Sequence, residues 1–554
     1  MLESYNNIEY DLAIIGAGIS GLTAAALAGK FGLKCCIIEK EPKPGGYLAG
    51  FSKDGFKIDT AIHWLNQCNK DEMAGRIFNL IGSDSPEIKI MHKIYRLKGD
   101  TYEYLLTKNP DELKEKLISD FPHEKKGIKK FFGSAKKIGE ASIKYARLFR
   151  TEESMSLFEK SIFKLKLLKF VLPLIRYIFY SGEKGVTKGL NLFFKDKNLH
   201  LLYQSEKDLL SCLFPIAWAY NDGYQIPAKG GARVFIQWLM YVNNYYENEF
   251  IFNAEVTKLE INNKVCENII FKQNNNLYKL KSKYVISASD LETLYTKMLP
   301  ENTISQKFRK KLENAVLYSS AFTISIALDC PAENLGINQE LICITKENIA
   351  RDDHDSGNPF ISDISILSPS ARDKSLTPEG KGLITLYMPA YIDYKNYWFT
   401  EKDFNGNFIR TEKYNRLKTE TAEILIQRVE KGLSIDLKSH ILFYDVSTPI
   451  TYLRYTGNKN GTMMGARPGK ENMQAGIAHH QTPIKNLILG GHWADLGGGV
   501  PICVKSAANA VLLVLKKENK QLFRLLANYM DGKTTIDQIN NSSNVKPYNN
   551  SWSN

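Results

Sequence analysis

The sequence predicts an α/β fold. A Rossmann-like dinucleotide-binding domain is assembled from separated pieces, with an inserted mixed-sheet substrate domain and a helical lid. Three observations carry that expectation. Residues 11–39, DLAIIGAGISGLTAAALAGKFGLKCCIIE, run strand, glycine loop, helix, strand, acid. Residues 486–515 form an apolar strand, a glycine-rich loop and a helix. Between them lie strand-like runs and one basic, apolar, helix-like stretch.

In the first unit, a buried strand (Leu12 to Ile15) meets Gly16-x-Gly18-x-x-Gly21. A small-residue helix (Leu22 to Ala28) and a second strand (Lys34 to Ile38) follow. Gly16 permits the tight turn, Gly18 lets a pyrophosphate approach the backbone, and Gly21 lets the helix pack on the strand. The candidate cradle is Gly16, Ala17, Gly18, Ser20 and Gly21, where free N–H groups and the helix dipole attract a diphosphate. Glu39 lies 23 residues after Gly16, near the usual ~20-residue spacing of a ribose-binding acid. Lys40 adjoins it.

The next segment favours flavin over nicotinamide. A nicotinamide site usually proceeds into the next βαβ unit. Here Pro44-Gly45-Gly46 opens a glycine-rich excursion through Gly50, Gly55 and Asp59 to His63-Trp64. Gly45 and Gly46 bring backbone close to something bulky.

These residues resemble the phytoene desaturase, carotenoid isomerase and retinol saturase group of FAD-dependent oxidoreductases. Four blocks carry the resemblance: Tyr10 through Gly46; Asp59-Thr60-Ala61-Ile62-His63; Pro227-Ala228-Lys229-Gly230-Gly231; and Asn486 to Ala510 with Gly490-Gly491-His492-Trp493 and Gly497-Gly498-Gly499-Val500-Pro501. A weaker block runs from Thr448-Pro449 to Gly465. The resemblance implies FAD in a domain of the glutathione reductase/amine oxidase type. It implies that Val256 lies by the adenine, and that His63 and Trp64 follow the segment passing the isoalloxazine. His63 is then the candidate for proton transfer or substrate positioning. Gly491, Gly498, Gly499 and Val500 form the far wall, with the helix start aimed at the flavin pyrimidine edge. His492 occupies the place where related proteins often carry an Asp for the ribityl chain, and Asp495 follows three residues later; either is a candidate ribityl partner.

The expected domains are 1–100, 225–300 and 481–530 for the discontinuous FAD-binding domain. Residues 101–224 form a helical basic lid, 301–480 a substrate domain, and 531–554 a flexible tail. Ala321–Ala327 and Gly382–Tyr387 read as strands of a mixed sheet, while 357–373 and 458–476 read as loops.

The chain has 554 residues, 44% hydrophobic, and net charge +13. Most of the charge excess sits in residues 121–200, with 18 basic and 7 acidic residues. Within it, SIFKLKLLKFVLPLIRYIFY (161–180) interrupts an apolar run with Lys164, Lys166, Lys169 and Arg176. That pattern predicts peripheral membrane contact, the apolar side chains in the headgroup layer and the cations snorkelling upward. A solvated basic lid is the alternative. No motif for nucleic acid accompanies the charge. The eight cysteines lack metal or disulfide spacing, so no metal is expected. The polar start, MLESYNNIEYD, predicts no signal peptide, and no apolar run reaches ~18 residues. The expected location is cytoplasmic, peripherally on a membrane.

The function this implies is hydride transfer at flavin N5 with a hydrophobic, polyunsaturated substrate (desaturation, saturation or isomerisation). The resemblance leaves two alternatives: an amine oxidase or protoporphyrinogen oxidase-like flavoenzyme, and a non-catalytic prenyl-lipid carrier of the GDP dissociation inhibitor type.

Overall fold

The computed structural model describes residues 3–5, 8–60, 64–404 and 406–553. The nucleotide unit is a parallel sheet of five strands: β1 (Tyr10–Ile15), β2 (Cys35–Ile38), β3 (Glu249–Ile251), β4 (Ser282–Ser287) and β5 (Leu487–Leu489). The order β3-β2-β1-β4-β5 places β1 at the centre, where both neighbours are parallel. Strands buried on both faces read as continuous apolar runs, and Cys35–Ile38 is buried at every position. All 12 residues of α1 (Ile19–Lys30) are buried, because it is packed between the sheet, α2 (Gly499–Glu518) and the Val234–Tyr245 helix. Small side chains make that possible: Gly21 stands so close to β1 that an added Cβ would lie 1.9 Å from the Gly16 carbonyl oxygen.

The run from 249 to 262 divides in two. Glu249–Ile251 joins the parallel sheet beside β2, whereas Ala254–Asn262 starts an antiparallel meander with Val265–Gln273 and Asn276–Leu280. The break is at Asn253, which takes the left-handed conformation at φ +54, a conformation Asn tolerates well.

The expected mixed sheet has seven strands, in the order Ile441–Ser447, Ser320–Leu328, Gly382–Ala390, Ile364–Leu367, Leu341–Ile344, Lys93–Lys98, Glu103–Thr107. Three expectations need correction here. The 458–476 stretch contains the helix Lys470–Ala475, not only loop. The 357–373 stretch contains the strand Ile364–Leu367 and a helical turn Pro369–Arg372, not only loop. The hairpin at 93–107 belongs to this sheet through parallel pairing with Leu341–Ile344, so the boundary expected at residue 100 falls inside a hairpin.

The stretch from residue 531, expected to be flexible, is docked. A capping box at Thr535 and Gln538 starts the helix Ile536–Asn540, Ile539 and Val545 are buried, and Tyr548 donates to Asp84 at 2.7 Å. The buried Lys30 ammonium anchors it through the Asn540 side chain at 2.8 Å; burial pushes that lysine down to about 8. Among the described residues α2 is, contrary to expectation, long and apolar enough to cross a membrane, but it is mostly buried in the core.

The lid is helical. Its Lys125–Ala146 helix carries the Leu157–Ile178 helix, with Tyr145 stacked on Phe170 at 4.2 Å. A capping box between Ser156 and Glu159 starts the latter helix. Of its side chains only Leu174 and Tyr177 are buried. Leu165, Leu168 and Leu172 are 65%, 53% and 57% exposed, and Phe179 just beyond its end is 79% exposed.

Candidate active site

The glycine loop after β1 turns through Gly16 at φ +100, and the Gly16 N–H donates to the Ile38 carbonyl at 2.9 Å. Gly18 becomes the N-cap of α1, which has no side-chain cap and no acid in its first turn. The start of α2 is likewise uncapped by any side chain. Each leaves N–H donors unpaired at a helix start. Both helix starts line one cavity of about 2730 Å³, together with Glu39, Gly45, Gly46, Val256, Ala288 and Gly491.

The local geometry separates packing glycines from cradle glycines. An added Cβ at Gly18 meets nothing within 4 Å, so it would occupy the cavity itself. At Gly498 it would strike Met464 at 2.5 Å, and at Gly491 it would press on the Ala288 backbone at 3.2 Å. Gly18 is therefore the position where missing side-chain volume serves the cavity, as a dinucleotide cradle requires.

Glu39 closes the cradle. Its carboxylate accepts from the Ala17 N–H at 2.6 Å and the Glu41 N–H at 2.9 Å. Those bonds fix its orientation at the cavity wall. Lys40 and Ser20 also line the cavity, and each makes a bond that ties it to another element. The Lys40 ammonium donates to the Arg454 carbonyl at 2.8 Å, tying the segment after β2 to the helix Pro449–Thr456. The Ser20 hydroxyl sits between the carbonyl oxygens of Gly490 and Cys503, the latter 3.0 Å away, and ties α1 to the C-terminal block.

At the other wall, His492 lines the cavity and Asp495 does not. Asp495 pairs with Lys505 of α2. Burial opposes ionisation of Asp495, but the adjacent ammonium outweighs it and holds the carboxyl below its ordinary value. Burial pushes His492 down to about 4, so its imidazole is neutral at physiological pH. Its Nε2 lies 3.3 Å from Asn458 Oδ1, which also accepts from Trp493 Nε1 at 2.9 Å. That shared acceptor requires the Nε2–H tautomer.

Asn458 is the residue that sequence reasoning missed. It is 2% exposed, and its amide donates to the Thr462 and Met464 carbonyls at 2.6 and 3.2 Å. It thereby braces the 458–464 loop beneath His492. Tyr47 joins the same loop, donating to the Thr462 carbonyl and stacking on Tyr452 at 6.2 Å. The only sequence signal for Asn458 is the weak block from Thr448 to Gly465, while Tyr47 directly follows the Gly45-Gly46 pair.

The cavity continues past the cradle to Trp64, Trp218, Tyr318, Met463 and the lid residues Ser142, Ile143 and Ala146. Trp64 stands edge-on to Tyr224 at 5.2 Å. His63 lies outside the described residues.

A family model described as an NAD(P)-binding Rossmann-like domain matches residues 14–80. All-trans-retinol 13,14-reductase of Danio rerio is 24% identical over 87% of this chain and 82% of its own length. Prolycopene isomerase of Daucus carota is 23% identical, over 89% and 78%. The 4,4'-diapophytoene desaturase of Staphylococcus aureus (strain Newman) is 25% identical, over 91% and 98%. Across most of its length the chain is similar to phytoene desaturase, carotenoid isomerase and retinol saturase-like oxidoreductases. Solved structures agree on the fold of this oxidoreductase. One from Methanosarcina mazei matches with a TM-score of 0.54 at 14% identity, covering 91% of this chain and 99% of the other. Cyclohexylamine oxidase from Brevibacterium oxydans matches at 0.53 and 12%, covering 93% and 100%.

Proposed function

We propose that this oxidoreductase binds FAD across the cradle and α2, and acts on a hydrophobic, polyunsaturated, isoprenoid-like substrate. The observation that carries the reading is the single cavity joining two uncapped helix starts to an aromatic and apolar chamber under the lid. Bound there, FAD supplies hydride acceptance or donation at flavin N5. The chain's own residues do the rest. The helix starts hold negative charge, Glu39 receives ribose hydroxyls, and neutral His492 offers a polar contact without adding charge. Trp64, Trp218, Tyr318 and Met463 align an extended hydrocarbon and exclude water. Desaturation, saturation and isomerisation differ in electron count, so anaerobic assays of oxidised and dithionite-reduced protein against one polyene separate them. No turnover in either state, with flavin bound, counts against the proposal. His63 is the candidate proton donor; His63→Ala should lower turnover by about 100-fold at unchanged flavin content, and unchanged turnover removes it from the mechanism.

The same reading places the lid on a membrane. Leu165, Leu168, Leu172, Ile175 and Phe179 follow a three-or-four spacing, so they share one helix face. Lys164 and Lys166 flank it. Each exposed leucine forgoes about 1.5–3 kcal/mol of burial, which an anionic lipid surface restores while meeting the cations. A substrate soluble only in lipid then enters beside the helix that carries Ser142 and Ile143.

A further inference from the structure

A second pocket, of about 60 Å³, adjoins the large cavity. The two share Thr60, Trp64 and Met463 in their walls, so these residues form the partition between them. The small pocket reaches the seven-stranded sheet at Leu367 and Tyr387, and Leu376 and Ile226 line it from the neighbouring turn and short strand. Leu367 and Leu376 are 4% and 3% exposed.

Charged side chains border this pocket, and the protein itself engages them. Asp59 accepts from the Ala232 N–H at 2.9 Å. Asp373 accepts from the Gly230 N–H at 2.5 Å and the Ser375 N–H at 2.9 Å. Arg372 Nε donates to the Gln339 carbonyl at 2.7 Å. The Asp373 bond holds the turn at 230–232 against the 369–376 segment, and Asp59 and Arg372 tie the turn and the segment to their other neighbours. Their role is to shape the wall, and the surface left for an occupant is mostly hydrocarbon.

Size then decides the occupant. A water-sized group needs roughly 10–15 Å³ of such space, so the pocket takes about four to six of them. That suits a methyl-branched end of four or five carbons. A six-membered ring with geminal methyl groups is too large, and packed interiors resist expansion. Met463 is unbranched and flexible, so it can move aside to let the end pass.

We propose that this pocket is the terminal subsite of the substrate channel, admitting an open-chain, methyl-branched hydrocarbon end and excluding a cyclised one. The inference rests on the lipophilic-substrate reading and narrows it to acyclic polyenes at the inner end.

The test titrates flavin-loaded protein with two C30 polyenes, one with open ends and one with both ends cyclised, following quenching of tryptophan fluorescence. The wild type should bind the open-chain form at least about 10-fold more tightly. Leu376→Trp fills the pocket and should remove that preference by weakening open-chain binding about 10-fold, with the visible flavin spectrum unchanged. Leu376→Ala should narrow the gap from the other side by admitting the ring. If Leu376→Trp does not fold, Leu367→Phe gives the same readout. Equal binding of both polyenes by the wild type, or a preference that survives in the filled variant, overturns the subsite. Failure of both polyenes to bind, with the flavin spectrum intact, overturns the lipophilic reading itself.

Discussion

Gly18 and Gly21 are three residues apart, and the structure gives them opposite vulnerabilities. A Cβ on Gly21 overlaps the Gly16 carbonyl, a backbone group that cannot swing aside, whereas one on Gly18 meets open space. Gly21→Ala is expected to destabilise the protein by about 3 kcal/mol or more, seen as a lowered melting midpoint even without cofactor. Gly18→Ala should leave the cofactor-free midpoint unchanged and weaken FAD binding at least about 10-fold, because only the ligand meets the new methyl. His492 adds a pH signature. Its folded value, pushed down to about 4, lies below the ordinary 6.5. The unfolded chain therefore takes up the proton first as pH falls. Stability is full above about pH 6.5 and declines between there and pH 4. At pH 5 the loss is on the order of 2 kcal/mol, and His492→Gln should shrink the difference in denaturant midpoint between pH 8 and pH 5. His479 and His480, also lowered by burial, act in the same direction. At this scale the sequence exposes glycines and acids in local motifs. It does not expose Asn458, whose partners His492 and Trp493 are more than 30 residues away and reachable only through the folded chain.

Elements were legible where their pattern is local. The first strand, glycine loop, helix and second strand lie as the periodicity predicts, and α2 starts at Gly499 in the expected glycine loop. Two strands hid for physical reasons. Glu249–Ile251 merges with the following meander in sequence, and only the left-handed Asn253 separates them. Ile364–Leu367 is a four-residue strand inside a stretch rich in Ser, Pro and Asp. The Leu157–Ile178 helix was legible as basic and apolar, and the structure shows which side chains are uncovered. Replacing Leu165, Leu168 and Leu172 together by Glu should leave the melting midpoint within about 0.5 kcal/mol of wild type, since surface changes cost little. Flotation with anionic vesicles should be lost. A variant that still floats would show that the helix is a plain solvated lid.

The whole molecule is organised around a cavity whose lining comes largely from three distant stretches of chain: residues 15–50, the 254–297 region and 446–503. A ligand that touches all three binds the folded chain alone and stabilises it by mass action, about 2.7 kcal/mol at one hundred times its Kd. The docked C-terminal stretch reinforces the same unit, with Tyr548 and Trp552 both bonded to Asp84. Its composition is polar, so sequence patterning gives no sign of the few buried anchors that hold it. The absorbance spectrum of the purified, folded protein, followed by denaturation and identification of what is released, tests the central claim most directly. The expected result is an oxidised-flavin band and one FAD per chain, recovered by adding FAD to stripped protein. A colourless protein that folds, refuses FAD and takes up a nicotinamide dinucleotide instead would contradict it.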